Sequence, residues 1–256
     1  HGGEISRGID EYNRHAITKI SNIHFAATKK SKERIIKMGE DKKNVIHTGS
    51  PSIDEIKISK ISSKQELEKK YTVDLEKPLF VLLQHPVTTE FEKTHSQIKI
   101  TLDSLSKLKN QTIAILPNSD AGNEQIIKQL KIFSKKNNFL KIFPNLPRND
   151  YLGFLKYCSA LVGNSSSGII ECSYFNTPAI NIGIRQLGRE KDLNVIDVLT
   201  FSKPLIVNAL KKSIKKKNKK IKNLSIYGTG NASKKILRYL ETHQINSKII
   251  HKKLVY

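Results

Sequence analysis

The chain has 256 residues, 38% of them hydrophobic, enough for one large domain or two smaller ones with cores of their own. Its formal charge is +22, from 45 basic and 23 acidic side chains, yet the lysines are spread widely and aromatic residues are not interleaved with them, which argues for a solvated basic surface and against a nucleic-acid platform. No apolar run approaches the roughly 20 residues that span a bilayer, and two cysteines, Cys158 and Cys172, suggest neither a disulfide framework nor a zinc site but reduced thiols in a cytoplasmic protein.

Ile9, Ala16, Ile17 and Ile20 fall at helical spacing and predict a helix over 9–21, with Asp10 and Glu11 in its first turn. A short strand is expected over 23–27, then a helix capped by Thr28 or Ser31 and ended by Gly39, then a strand over 45–49 stopped by Ser50-Pro51. Residues 52–77 are polar and read as a helical linker into a second unit. From Pro78 the alternation is regular. Strands are expected over 79–83, 112–116, 139–143, 160–163 and 178–182, separated by helices over 92–109, 123–136, 149–158 and 167–175. A last strand over 195–198 and helices near 203–214 and 231–242 close the chain. Apolar strands alternating with helices predict an α/β fold with a parallel, doubly wound sheet.

The most distinctive stretch is Leu161-Val-Gly-Asn-Ser-Ser-Ser-Gly-Ile-Ile-Glu171. It reads as a strand, a tight polar turn and a helix N-terminus, whose free N–H groups and positive dipole end suit a phosphate. Asn164, Ser165, Ser166, Ser167 and Gly168 are therefore candidate phosphate-binding residues, although the serines would also serve as simple helix caps. Glu171 cannot face phosphates and is better placed for ribose hydroxyls.

In doubly wound sheets ligands gather beyond the C-terminal ends of the strands. Nearly every distinctive polar residue lies there: His85 after the strand at 79–83, Asn118 and Asp120 in the next post-strand segment, Asn164 to Gly168, and Arg185 and Arg189 between Gly183 and Glu190. His85 could act as a general acid or base or bond a diphosphate oxygen. Arg185 and Arg189 carry forks that suit a diphosphate. Asn118 and Asp120 are ligand contacts or turn formers. At the start of the chain His1, Glu4 and Asp10 cluster before or on the first helix, where the helix dipole alone would favour acids. His15, His24 and His47 read as structural. There is no metal-ligand spacing, Gly-x-Gly-x-x-Gly or Walker loop.

Several motifs, in order along the chain, carry a resemblance: His1-Gly-Gly-Glu-Ile-Ser-Arg-Gly-Ile-Asp10, Arg14-His-Ala-Ile-Thr-Lys19, Leu83-Gln-His-Pro-Val-Thr-Thr89, Pro117-Asn-Ser-Asp-Ala-Gly122, Gly163-Asn-Ser-Ser-Ser-Gly168, Gly183-Ile-Arg-Gln-Leu-Gly-Arg-Glu190 and Ile226-Tyr-Gly-Thr-Gly-Asn-Ala232. Together they resemble the hydrolysing UDP-N-acetylglucosamine 2-epimerases of sialic and legionaminic acid pathways. The resemblance implies the GT-B fold, two Rossmann-like domains with a sugar nucleotide in the cleft. It implies cleavage of UDP-GlcNAc, or of a related UDP-diacetamido sugar, to UDP and the 2-epimer. Ser165, Ser166 and Gly168 would hold the diphosphate, Glu171 the ribose, and a protonated His85 would assist UDP departure. Asn118 and Arg185 would line the ligand, and Asp10 would manage protons and water. His1 stands where some members carry a glutamate. No cofactor and no metal are needed, and the expected partners are a small-molecule UDP-sugar and further copies of the chain, with no nucleic acid or membrane.

The resemblance further implies that residues 1–52 end the family's N-terminal domain, 53–228 form the UDP-binding domain, and 229–256 cross back over the hinge. Because the family's first domain begins with a Gly-Thr-Arg loop not found here, upstream residues are expected. Two alternatives remain at this point: another GT-B sugar-nucleotide enzyme, either a non-hydrolysing epimerase or a glycosyltransferase, and a UDP-sugar binder without catalysis.

Overall fold

The computed structural model describes residues 2–6, 9–217, 225–243, 251–253 and 255. The chain divides into two compact units, one made of His1–Ser59, Leu187–Glu190 and Leu224–Tyr256, the other of Lys60–Gln186 and Lys191–Asn223.

In the first unit, helix α1 spans Ile9–Ile20, strand β1 His24–Ala26, helix α2 Lys29–Lys37, strand β2 Val45–His47 and helix α3 Pro51–Ile58. The two strands pair in parallel, with His24 opposite Val45 and Ala26 opposite His47. Thr28 caps α2 by accepting a hydrogen bond from the Ser31 N–H at 3.0 Å. Ile35, in the last turn of α2, packs on Ala26 and Val45. Helix α10, Ala232–Thr242, is capped from α3, since both Asp54 oxygens accept backbone N–H bonds from Ala232 (2.9 Å) and Ser233 (2.6 Å). Gly49 allows close approach of the Tyr227 carbonyl, which a Cβ at Gly49 would meet at 3.1 Å.

In the second unit, helix α4 covers Lys64–Tyr71 and six parallel strands follow: β3 Leu79–Leu83, β4 Gln111–Ile115, β5 Leu140–Phe143, β6 Ala160–Gly163, β7 Ala179–Ile182 and β8 Val195–Val198. Their order is β5-β4-β3-β6-β7-β8, the doubly wound arrangement in which the winding reverses between β3 and β6. Alternation along β3 shows how the layers form. Phe80 and Leu82 face a core shared with helices α5 (Thr94–Leu105), α6 (Asn123–Ser134) and α9 (Lys203–Lys217). Leu79 and Val81 face the opposite core, shared with α4, α7 (Arg148–Tyr157) and α8 (Glu171–Tyr174). All four side chains are at most 1% exposed, so each contributes roughly 1.5–3 kcal/mol of burial.

The expected elements are present, with three differences. The linker over 52–77 holds two separate helices, α3 and α4, the second closed by a capping box between Ser63 and Glu66. The helix expected over 92–109 is preceded by a 3-10 segment, Thr88–Lys93, kinked at Glu90. The helix expected over 167–175 is broken into a 3-10 turn, Ser166–Gly168, and the single turn α8. Gly168 is buried so tightly that a Cβ would lie 3.0 Å from the Ala179 side chain, which ties this segment to β7 rather than to a regular helix. No helix among the described residues is long and apolar enough to cross a membrane.

Candidate functional site

The site grows from the reversal point of the larger sheet, where β3 and β6 end side by side. Gly163 closes β6 at φ +134, and a Cβ there would lie 2.1 Å from the Leu83 carbonyl oxygen, so only glycine fits. The next residue, Asn164, is 1% exposed. Its side-chain Oδ1 accepts the His85 N–H at 2.7 Å, and its Nδ2 donates to the His85 carbonyl at 2.8 Å. One carboxamide thus continues the sheet across the strand ends and fixes the backbone of His85. The Asn164 carbonyl in turn accepts from Gln186 Nε2 at 2.9 Å and from Arg185 at 3.3 Å. Asn164, a candidate ligand contact, has both side-chain atoms engaged by the His85 backbone and holds that residue.

The His85 ring meets Asn118. Nδ1 lies 3.2 Å from the Asn118 backbone N–H and 3.0 Å from Asn118 Oδ1. The N–H suits a neutral ring accepting at Nδ1, while Oδ1 suits a protonated ring donating there, so one residue serves both protonation states. Burial, followed by the charge of Arg185, presses the His85 pKa down to about 4, against the pull of Asn118 and Asp120. The His85 ring is therefore neutral at pH 7 in the unliganded protein. A desolvated ring beside a guanidinium resists a second positive charge. Arg185 is steadied by Asp120, 3.8 Å away. His85, Asn118, Asp120, Asn164 and Arg185 are brought together.

The serine-rich turn lies one strand end further on. Its geometry corrects one expectation. The N–H groups of Ser167 and Gly168, expected to be free for phosphate, donate within the turn, to Ser165 Oγ at 3.3 Å and to the Ser165 carbonyl at 3.1 Å. The segment that follows is one turn of helix and not a long dipole. Ser165, Ser166 and Ser167 are half-buried. Asn194, fully buried, donates to the carbonyls of Gly168 (3.1 Å) and Thr177 (3.0 Å) and so pins the turn.

Glu171 begins α8 with its carboxylate held from two sides. Arg148, the first residue of α7, reaches one oxygen at 2.6 Å, and the Ser167 hydroxyl donates to the other. Tyr151, one turn along α7, buries its hydroxyl beside Ser167. Burial, with the Glu171 charge next, pushes its phenol well above the ordinary range, so it remains a neutral donor. Arg148, Tyr151, Gln186 and Asn194 were missed by sequence reasoning. Arg148 carried a signal, since it follows the strand β5 in a post-strand segment, the same kind of position that singled out the others.

The first unit holds the remaining candidates. Glu4 and Arg189 form a buried ion pair, their side chains 7% and 8% exposed. Arg189 belongs with Leu187–Glu190 to the first unit and Arg185 to the second. Glu190 joins the same unit, near Arg34 at 3.5 Å and bonded by the Thr28 hydroxyl. Asp10 is exposed on the first turn of α1. His1 lies outside the described residues. His24 pairs with Glu40 at 3.1 Å, both buried, and burial lowers the His24 pKa despite that carboxylate. Among the described residues no group of three or more His, Cys, Asp or Glu is arranged to hold a metal ion.

Residues 1–241 match the family described as UDP-N-acetylglucosamine 2-epimerase. The chain is 36% identical to a UDP-N,N'-diacetylbacillosamine 2-epimerase (hydrolyzing) of Legionella pneumophila, over 98% of this chain and 66% of that protein. It is 39% identical to a GDP/UDP-N,N'-diacetylbacillosamine 2-epimerase (hydrolyzing) of Campylobacter jejuni, over 77% of this chain and 52% of that one. The chain therefore spans roughly half to two thirds of the length of these curated relatives. Among solved structures it is similar to the UDP-GlcNAc 2-epimerase of Neisseria meningitidis bound to UDP-GlcNAc, with a TM-score of 0.72 and 17% identity, over 92% of this chain and 65% of that one. It is equally similar to the Methanocaldococcus jannaschii enzyme in complex with UDP-GlcNAc and UDP, with a TM-score of 0.72 over 94% of this chain and 68% of that one. At such identity these likenesses show the fold, the GT-B class implied by the motifs.

Proposed function

The chain belongs to the UDP-N-acetylglucosamine 2-epimerase family, and from that premise we propose that it binds a UDP-sugar beyond the C-terminal ends of β3 and β6 and that the protein hydrolyses it. The substrate is UDP-GlcNAc or a related UDP-diacetamido sugar, and the products are UDP and the free 2-epimer. The observation that carries this reading is the convergence of His85, Asn118 and Arg185 on the reversal point of the sheet, all bound to or through Asn164. Relatives named for hydrolysing 2-epimerases at 36% and 39% identity support the reaction class.

In this reading the proton on carbon 2 goes to a base, the carbon 1–oxygen bond breaks, and UDP leaves a glycal-like intermediate. Water then returns its hydroxyl to carbon 1 and a proton to carbon 2 on the opposite face. Charge builds on the diphosphate as the bond breaks, and Arg185 and the hydroxyls of the serine-rich turn stabilise it. The incoming diphosphate also raises the His85 pKa from about 4, because a dianion favours the imidazolium that burial and Arg185 oppose. His85 then becomes protonated on binding, donates to the departing UDP, and keeps its partner at Asn118 Oδ1. Glu171 holds the ribose diol, and Asp10 is the candidate carboxylate for managing protons and water. The reading places a homo-oligomeric enzyme in the cytoplasm, consistent with two buried free thiols.

The test is product analysis with UDP-GlcNAc and UDP-N,N'-diacetylbacillosamine as substrates. Release of UDP with free 2-epimer sugar is expected. A UDP-linked epimer, a glycoside, or absence of both binding and turnover would overturn the proposal.

A further inference from the structure

The ion pair between Arg148 and Glu171 has a consequence for ligand selection. Glu171 is mostly buried, with a side chain 12% exposed, while Arg148 is 37% exposed. The carboxylate receives one donor on each oxygen, Arg148 at 2.6 Å on Oε1 and the Ser167 hydroxyl on Oε2. A carboxylate offers about four acceptor positions. Two protein donors fix the plane of the group and leave one position on each oxygen. One remaining acceptor position on each oxygen suits two neighbouring hydroxyls. Arg148 is itself restrained, since its guanidinium lies 6.0 Å from the ring centre of Tyr151.

We propose that Arg148 is a positioning residue that orients Glu171 to accept a vicinal diol, so that the site selects ribonucleoside over deoxyribonucleoside diphosphates. This rests on the reading of Glu171 as the ribose-binding group. Neither Arg148 nor Ser167 needs to touch the ligand. Without Arg148 the Glu171 side chain loses one of its two anchors, and its rotamers spread before a ligand arrives, a cost paid again on binding.

The experiment is calorimetric titration of the chain with UDP and with 2′,3′-dideoxy-UDP, for the parent protein, Arg148→Ala and Arg148→Lys, with melting temperatures as a control on folding. The parent should prefer UDP by about tenfold or more, the value of hydrogen bonds to a charged group. Arg148→Ala should cut that preference by roughly threefold or more, within the range of coupling between contacting residues, while leaving affinity for the dideoxy ligand nearly unchanged. Arg148→Lys should restore part of it. If the parent binds both ligands equally, the ribose reading of Glu171 fails. If the parent discriminates and Arg148→Ala discriminates as well, the role of Arg148 fails alone. An equal loss for both ligands, or tighter UDP binding once Arg148 is removed, also overturns it, the first by showing a general effect of charge and the second by showing that Arg148 competes with the diol.

Discussion

Replacing His85 with glutamine should change how stability depends on pH, by an amount the site geometry sets. In the folded protein the His85 pKa lies at about 4, below the ordinary histidine value of 6.5, because burial and Arg185 disfavour the charged ring. Between these two values the unfolded chain carries the proton and the folded protein does not. The unfolded state therefore binds more protons, and stability falls as pH is lowered through that window. The contribution of the neutral ring is complete above the unfolded value and is lost towards about pH 4. Each pH unit of separation is worth about 1.4 kcal/mol, so the parent should lose about 2–3 kcal/mol between pH 7.5 and 4.5 from this residue alone. His24 and His47, whose pKa values are also lowered by burial, add to the fall in both proteins and cancel in the comparison. The assay is urea unfolding of parent and His85→Gln at both pH values. The variant should show the shallower dependence by that difference. Parallel curves would refute the reasoning and mean that the ring is solvated or already paired with an acid.

UDP should bind more tightly as pH falls from 8 to 5.5, because a group whose pKa rises in the complex takes up a proton on binding; calorimetry in buffers of different ionisation enthalpy should show that uptake in the parent and not in His85→Gln. Asn164→Ala removes both bonds to the His85 backbone and should destabilise by about 2–4 kcal/mol, lowering turnover more than UDP affinity; steady-state kinetics with UDP titration separates the two. Gly163→Ala should cost more than about 4 kcal/mol or prevent folding, since its Cβ would sit 2.1 Å from the Leu83 oxygen at φ +134; a soluble variant melting within a few degrees of the parent would contradict the packing described. Asp54→Ala should cost about 1–2 kcal/mol by uncapping α10, read as a lowered urea midpoint.

Much of the larger unit could be read along the chain. Strands buried on both faces appear as apolar runs between turn signals, as at Leu79–Leu83 and Ala160–Gly163, and parallel pairing requires the helices that separate them. The rule that ligands gather at strand ends then picked out His85, Asn118 and Arg185 from local sequence. Strand order was not written there. The contact between β3 and β6 joins His85 to Asn164 across 79 residues, and only that adjacency turns Asn164 into a clasp on the His85 backbone. The same holds for Arg148 and Glu171, which meet because α7 and α8 share one face of the sheet. The protonation state of His85 also came from the fold, since desolvation and the charge of Arg185 depend on what packs around the ring and not on its neighbours in sequence. The pairing of Arg189 with Glu4 came from the fold for the same reason. Sequence determined which segments are apolar, where they turn and which chemistry stands at each strand end. Tertiary structure decided which ends meet, because hydrogen bonds and desolvation act over a few ångströms in space whatever the distance along the chain.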